Sequence, residues 1–212
     1  MKRIVLVVAL LAVVPSTAGA DGVLPFANPD AETGDLTGWV ASSPSFLAIR
    51  ASEGYPVFQG TWSFAAGSGG PGISEMWQDI DLTPDESCID GGECSFALSG
   101  WTRTDPGDSA RVLLEFKRPG LPDYDCDSDY YVSDGVWTGI PACGQSRWVG
   151  ASSGPLAVGT RMVRITLFGK SASTNGESWI GAYFDTIQLA TFFGSGMPAR
   201  PQTWGGLKAL YR

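Results

Sequence analysis

Short apolar stretches alternate with turn-forming residues about every ten positions along most of this chain. The clearest stretch is ARVLLEFKR, residues 110–118, in which apolar side chains recur at Ala110, Val112, Leu114 and Phe116. Successive side chains of a strand leave opposite faces, so a period of two predicts a half-buried β-strand.

The same alternation recurs in several other segments. It is clear in residues 76–82, 94–104, 160–170 and 179–190 and weaker in residues 36–41, 45–51, 61–67 and 146–152. Long runs with helical spacing are missing, while Gly (28) and Pro (14) are frequent between the segments. About nine or ten strands around one core predict an all-β fold, a two-sheet β-sandwich.

The first twenty residues differ from the rest. Lys2 and Arg3 precede an apolar run over residues 4–14, and small residues follow at Ala18 and Ala20. This pattern predicts a secretory signal peptide over residues 1–20; the alternative is a membrane anchor, for which the run is short. We expect a secreted protein, extracellular or at the cell surface.

The remaining chain is long enough for one domain. We place the β-sandwich domain at residues 21–190. Residues 191–212 read as a linker followed by a short basic, aromatic tail, TWGGLKALYR. No later segment is apolar for long enough to form a transmembrane helix.

The chain is acidic. Its formal charge is −8 and becomes −10 once Lys2 and Arg3 are removed with the signal peptide. Nucleic-acid binding needs clustered Lys and Arg, so it is excluded as a function.

Four cysteines follow the signal peptide, and an even number in an exported chain predicts two disulfides. Of the three possible connectivities we favour the local one, Cys88 with Cys94 and Cys126 with Cys143. A zinc site is the alternative, but the chain has no Cys-x-x-Cys and no histidine.

Catalytic groups are scarce. The absence of histidine excludes Ser-His-Asp, Cys-His and His-metal catalysis. A glycosidase needs two carboxylates at a defined separation, and no spacing among the 22 acidic residues selects a pair. A polysaccharide lyase that uses Tyr, Lys or Arg stays formally open. We expect a protein that is not an enzyme.

The acidic opening NPDAETGDLTGW, residues 28–39, resembles the opening of jelly-roll, galactose-binding-like carbohydrate-binding modules, Asn-x-x-Phe-Glu-x-Gly followed by Gly-Trp. GTWSFAAG, MWQDIDLTP, CSFALSGWTR and AYFDTIQL then follow in the order of the corresponding strands in those modules. The resemblance covers residues 28–189 and implies jelly-roll topology.

The resemblance also implies a structural calcium ion. In such modules the opening Glu and the closing Asp help to bind calcium with backbone carbonyls, which points to Glu32, Asp185 and a carbonyl near Thr61. This chain departs from the pattern at Ala31, where the modules have an aromatic residue, and at Thr186, where they have a second Asp. The alternative is that the acidic residues only solvate a turn.

A second acidic cluster, DYDCDSDYYVSD, lies within residues 119–144, a long segment with little periodicity. Its Asp-x-Asp-x-Asp spacing is similar to that of a calcium loop, but the Gly and Glu that such loops need are missing. A solvated, disulfide-closed loop is the better interpretation.

Aromatic side chains are the candidate ligand-binding groups, because their faces stack on sugar rings. The candidate site comprises Trp101, Arg103, Tyr130, Tyr131, Trp148 and Trp179. Glu115 could hydrogen-bond to ligand hydroxyls with Arg103. The alternative for each aromatic residue is structural packing, which we expect for Trp39.

The sequence therefore predicts a secreted, non-catalytic module that binds a glycan or another surface polymer. The alternative is a structural or cell-envelope protein with the same fold and no sugar site, docked or sorted through its tail.

Overall fold

The computed structural model describes residues 22–24, 26–42, 46–68, 72–127, 135–136, 138–139, 152–171 and 179–193. Nearly all regular structure in these ranges is extended. The strands are β1 (Gly22–Val23), β2 (Val40–Ala41), β3 (Leu47–Arg50), β4 (Trp62–Ser68), β5 (Ile73–Asp81), β6 (Cys94–Thr104), β7 (Ser109–Lys117), β8 (Tyr124–Asp127), β9 (Thr138–Gly139), β10 (Ser152–Pro155), β11 (Met162–Lys170) and β12 (Trp179–Phe193). Short 3₁₀ helices span Ala51–Glu53 and Thr83–Asp85, and helix α1 spans Glu86–Asp90.

The strands form two antiparallel sheets. The larger has the order β10-β6-β12-β4-β3, with β1 beside β12 and β9 beside β6; the smaller has the order β2-β5-β11-β7-β8. The consecutive strands β4 and β5, β6 and β7, and β11 and β12 each lie in different sheets. This is jelly-roll topology, so the predicted two-sheet sandwich is confirmed.

Alternation of side chains explains why these segments are strands. In β7 every second residue is buried, from Ala110 to Phe116, and β5 and β6 show the same pattern. Each of these three strands thus turns one buried face to the other sheet and one more exposed face away from it.

The core lies between the two sheets. Among its largest fully buried side chains are Phe46, Phe64, Phe116 and Phe184. Burying an apolar side chain of this kind contributes about 1.5–3 kcal/mol relative to leaving it exposed.

The opening segment packs on this core through its aromatic end. Trp39 is buried, contacts Phe26 and Phe64 edge-on at centroid distances of 5.2 and 5.4 Å, and donates its indole N–H to the Asn28 carbonyl at 3.2 Å. The Ile187 N–H donates to the Pro29 carbonyl at 2.8 Å, which ties the segment to β12. The prediction that Trp39 is a core residue is confirmed.

The Cys88–Cys94 disulfide is confirmed, with Cα atoms 5.1 Å apart. It joins α1 to the start of β6. Cys126 is disulfide-bonded as well; its predicted partner, Cys143, lies outside the described residues.

Several strands depart from the expectations. β8 and β9 both lie inside the segment predicted to have little periodicity. β8 pairs with β7 from Phe116↔Tyr124 to Leu113↔Asp127, and β9 pairs with β6 at Trp101↔Gly139 and Thr102↔Thr138. β12 continues to Phe193, beyond residue 190 where the domain was expected to end. The predicted signal peptide and the tail TWGGLKALYR fall outside the described ranges. Within those ranges, no helix has the length and apolarity needed to cross a membrane.

Candidate functional site

A groove on the outer face of the smaller sheet is the candidate site. It has a volume of about 290 Å³, close to the lower end of the range of about 300–1,000 Å³ for small-molecule sites. We call it the sheet groove. Its lining residues come from β5, β7 and β11 and are Glu75, Trp77, Leu113, Glu115, Arg164, Thr166 and Phe168.

Strand register arranges these side chains in rows across the sheet. β11 lies between β5 and β7, so Thr166 has Trp77 opposite it on one side and Leu113 on the other. Thr166 is only 5% exposed and forms the floor. Two further rows of outward-facing side chains flank the row of Thr166. One row consists of Glu75, Phe168 and Arg111, and the other of Asp79, Arg164 and Glu115.

Arg164 is held in place by Asp79. Its Nε and Nη2 donate to the two carboxylate oxygens at 2.7 and 2.8 Å, a bidentate pair. The hydrogen bond with Arg164 lowers the pKa of Asp79, so this carboxyl group stays ionised at neutral pH. The Arg164 guanidinium carbon also lies 5.5 Å from the centroid of the Trp77 ring.

Lys117 forms a second charged pair at the same side of the groove. Its Nζ lies 3.0 Å from Glu115 Oε1 and 3.1 Å from Asp123 Oδ2. The hydrogen bond to Glu115, followed by that to Asp123, raises the pKa of Lys117. At the opposite side, the Arg111 guanidinium lies over the Phe168 ring at 5.4 Å.

The sequence-predicted ligand residues lie elsewhere. Trp101 and Arg103 on β6 face Asp185 and Tyr183 on β12, on the outer face of the larger sheet. Trp179 packs near Tyr183 on the same face and donates to its hydroxyl at 3.3 Å. Three of the six predicted residues therefore share one surface; Tyr130, Tyr131 and Trp148 lie outside the described ranges.

That surface is partly covered by the segment between β3 and β4. Phe58 stacks on Trp101 at a centroid distance of 4.1 Å, and Tyr55 stacks on Trp179 at 5.5 Å. Aromatic stacking within the protein thus occupies ring faces that a ligand would use, as in the packing alternative. Arg103 Nε is buried here and has no hydrogen-bond partner among the residues that the structure describes.

The residues predicted to bind calcium fix this covering segment at two points. Asp185 is fully buried, and its Oδ2 accepts the N–H groups of Phe58 and Gln59 at 3.0 and 3.1 Å. Glu32 Oε1 accepts the N–H groups of Thr61 and Trp62 at 2.8 and 2.9 Å. We call residues 58–62 the clamped turn.

Burial perturbs the ionisation of Asp185. Burial, with a smaller contribution from the charge of Asp30, raises the pKa of Asp185 to about 6 against hydrogen bonds that lower it. Carboxylate and carbonyl oxygens are the ligands that calcium takes. The Thr61 carbonyl accepts the Ala51 N–H at 3.0 Å. However, in the described part of the chain no group of three or more His, Cys, Asp or Glu side chains could hold a metal ion, so backbone carbonyls and water would have to complete the coordination.

No protein-family model matches the chain, and no curated protein matches its sequence. Solved structures do match. The carbohydrate-binding module TmCBM61, solved with β-1,4-galactotriose, is 16% identical, with a TM-score of 0.52 over 80% of this chain and 98% of that one. A second similar structure, family 16 carbohydrate-binding module-2, is 18% identical, with a TM-score of 0.50 over 77% of this chain and 97% of that one.

The chain has the fold of a carbohydrate-binding module. A third similar structure, the enzymatically active domain of tailspike protein 4 of bacteriophage CBA120, is 12% identical with a TM-score of 0.51. The match covers 80% of this chain but only 21% of that one.

Sequence reasoning missed two aromatic residues that this carbohydrate-binding-module fold places in the sheet groove. Trp77 lies in the alternating segment 76–82 and Phe168 in the segment 160–170, but neither was named as a candidate ligand residue. The sequence could have indicated both residues, because an aromatic residue on the polar face of an alternating strand does not pack in the core. Glu115, the expected hydrogen-bonding carboxylate, does line the groove.

Proposed function

We propose that this chain is a secreted, non-catalytic module that binds a short stretch of a glycan in the sheet groove. The observation that supports this best is the cross-strand row in which the Trp77 ring stands beside Thr166, next to the Arg164 and Glu115 side chains. The groove thus combines aromatic surface with fixed hydrogen-bonding groups.

This combination suits a sugar. A pyranose ring has an apolar C–H face that packs on an aromatic side chain and a rim of hydroxyls that need polar partners. Arg164 can donate and Glu75 and Glu115 can accept hydrogen bonds. Because Asp79 holds Arg164 in one geometry, little side-chain freedom remains to be lost when a ligand binds.

The structural comparison supports the ligand class. The structure of TmCBM61 contains β-1,4-galactotriose, so this oligosaccharide and β-1,4-galactan are the first probes to use. Fold similarity alone does not determine the sugar, which the groove residues must decide.

Affinity gel electrophoresis against a panel of polysaccharides tests the proposal. We expect retention by at least one neutral polymer, and we expect Trp77→Ala to weaken it by about thirtyfold, the effect of a binding residue worth about 2 kcal/mol. Trp101→Ala and Trp179→Ala serve as matched controls on the other sheet. If they abolish retention while Trp77→Ala does not, the ligand site lies on the larger sheet, at the residues predicted from the sequence. If no polymer retards the wild type, the proposal is wrong.

We further propose that a calcium ion binds beside the clamped turn, held by Asp185, Glu32 and backbone carbonyls near Thr61. A bound ion stabilises only the folded state, so calcium should raise the midpoint of thermal unfolding measured in EDTA. Glu32→Gln and Asp185→Asn should abolish that rise. An unchanged midpoint in the wild type would contradict the calcium proposal without affecting the sheet groove.

The alternative function is that of a cell-envelope protein docked or sorted through TWGGLKALYR. Deleting residues 203–212 distinguishes the two functions. Loss of surface retention with glycan binding preserved would assign docking to the tail, whereas an isolated domain that binds no glycan would favour the envelope role.

A further inference from the structure

We infer that the sheet groove selects neutral glycans and rejects polyanionic ones, such as polymers of uronic acids or sulfated sugars. This inference rests on the proposed function, because it specifies the ligand class of the same groove.

Two cations at one side of the groove, Arg164 and Lys117, are already paired with carboxylates of the protein. Both carboxylate oxygens of Asp79 engage Arg164. Lys117 lies within 3.0 Å of Glu115 and 3.1 Å of Asp123. A ligand carboxylate or sulfate would have to displace one of these internal acids to gain a full ion pair.

Carboxylates remain in excess after this pairing. Glu75 lines the groove, and among the described residues no Lys or Arg forms a salt bridge with it. Glu115 lies directly opposite Asp125 of β8, which is exposed. Arg111 is a further cation at the Phe168 end, where its guanidinium lies over the ring.

Neutral and anionic glycans interact differently with the carboxylates of the groove. A sugar hydroxyl can donate to Glu75 or Glu115, and hydrogen bonds to a charged acceptor are stronger than those between neutral groups. A ligand anion has no proton to donate and is repelled by the same carboxylates.

A matched pair of polymers tests the inference: the neutral polysaccharide that the protein retains best, and the same polysaccharide after partial carboxymethylation. We expect the anionic derivative to bind about tenfold more weakly at low salt, the effect of one unscreened like charge a few ångströms away. High salt should reduce this difference in affinity, because it screens the repulsion between charges.

Variants then locate the source of the discrimination. Glu75→Gln removes a carboxylate that lines the groove, and Asp79→Asn removes the carboxylate that occupies Arg164; both should shift the ratio of the two affinities towards the anionic polymer. Asp81→Asn is the control, because Asp81 lies on the same strand and face but its carboxylate accepts the Thr83 N–H at 2.8 Å, outside the groove. It makes the same change in net charge and should leave the ratio unaltered.

The outcomes distinguish failure of the selectivity for neutral glycans from failure of glycan binding itself. Equal or tighter binding of the anionic polymer by the wild type overturns the inference and leaves glycan binding intact. An unchanged ratio in Glu75→Gln and Asp79→Asn, or an equal shift in Asp81→Asn, also overturns it, since net charge and not the groove would then be responsible. If neither polymer binds, the proposed function fails and the inference fails with it.

Discussion

Replacing Asp185 by Asn should change how the stability of this protein depends on pH. The Asp185 carboxyl group is fully buried and accepts two backbone N–H groups of the clamped turn through one oxygen. Its other oxygen accepts the Thr186 hydroxyl at 2.9 Å. Burial nevertheless raises the pKa from 3.8 to about 6, because these dipoles do not replace full solvation.

The size and sign of the effect follow from this pKa. Each unit of difference between folded and unfolded protein corresponds to about 1.4 kcal/mol, so ionised Asp185 costs about 3 kcal/mol. The folded protein holds the proton more tightly, so stability is greatest below pH 3.8 for this group and falls as the pH rises through about 6.

The Asn side chain has the same shape and keeps one oxygen to accept the N–H groups of Phe58 and Gln59, but it does not ionise. We therefore expect the free energy of unfolding in EDTA to fall by up to about 3 kcal/mol between pH 4 and 7.5 in the wild type and to lose this slope in Asp185→Asn. The assay is urea unfolding followed by tryptophan fluorescence at several pH values.

Asp90→Asn is the matched control. Its hydrogen bond with Arg161 lowers the pKa of Asp90, so its contribution to stability changes only below 3.8. Equal slopes in the wild type and Asp185→Asn would contradict a raised pKa of Asp185 in the folded protein. Replacing EDTA by calcium should flatten the slope in the wild type alone, because a bound cation favours the ionised form.

Three further predictions concern stability. Gly60→Ala should destabilise the protein by about 2 kcal/mol more than Gly54→Ala. Both glycines have positive φ, 83° and 87°, but only at Gly60 would a Cβ overlap the Glu32 carboxylate. Equal losses of stability would mean that the contact with Glu32 contributes nothing. Removing the Cys88–Cys94 disulfide by a double Ser substitution should lower the free energy of unfolding by about 2 kcal/mol, the value expected for a short closed loop, and an unchanged urea midpoint would contradict this. Leu114→Ala should lower the free energy of unfolding by about 3 kcal/mol because Leu114 is fully buried. Leu113→Ala, on the opposite face of the same strand, should lower it far less but should weaken glycan retention. Similar losses of stability would contradict the assignment of the two faces.

The alternation of apolar and polar residues predicted the fold well, because the core of a β-sandwich requires an apolar side chain at every second position of a strand. The inward positions of β7 and β5 could be read directly, and the ordered motifs from residue 28 to residue 189 indicated the jelly roll. β8 was missed because it is only four residues long and carries acidic residues, so its pairing with β7 is not encoded by a local pattern.

The candidate site was harder to predict for a physical reason. Trp77, Trp101 and Trp179 all lie outside the main core, and the sequence does not show which of them another segment covers. Asp185 accepts the N–H groups of Phe58 and Gln59, 127 and 126 positions away along the chain, and Phe58 stacks on Trp101. Contacts of such long range depend on the finished fold.

The position of the bound glycan relative to the tryptophans decides whether the sheet groove is the binding site. The chain has eight tryptophans, and each indole N–H gives its own signal in a ¹H–¹⁵N spectrum, which can be assigned by substitution. During titration with the oligosaccharide of the best-retained polymer, we expect the Trp77 signal to shift in a saturable manner while those of Trp101 and Trp179 stay in place. Shifts of Trp101 and Trp179 with Trp77 unmoved would contradict binding in the sheet groove.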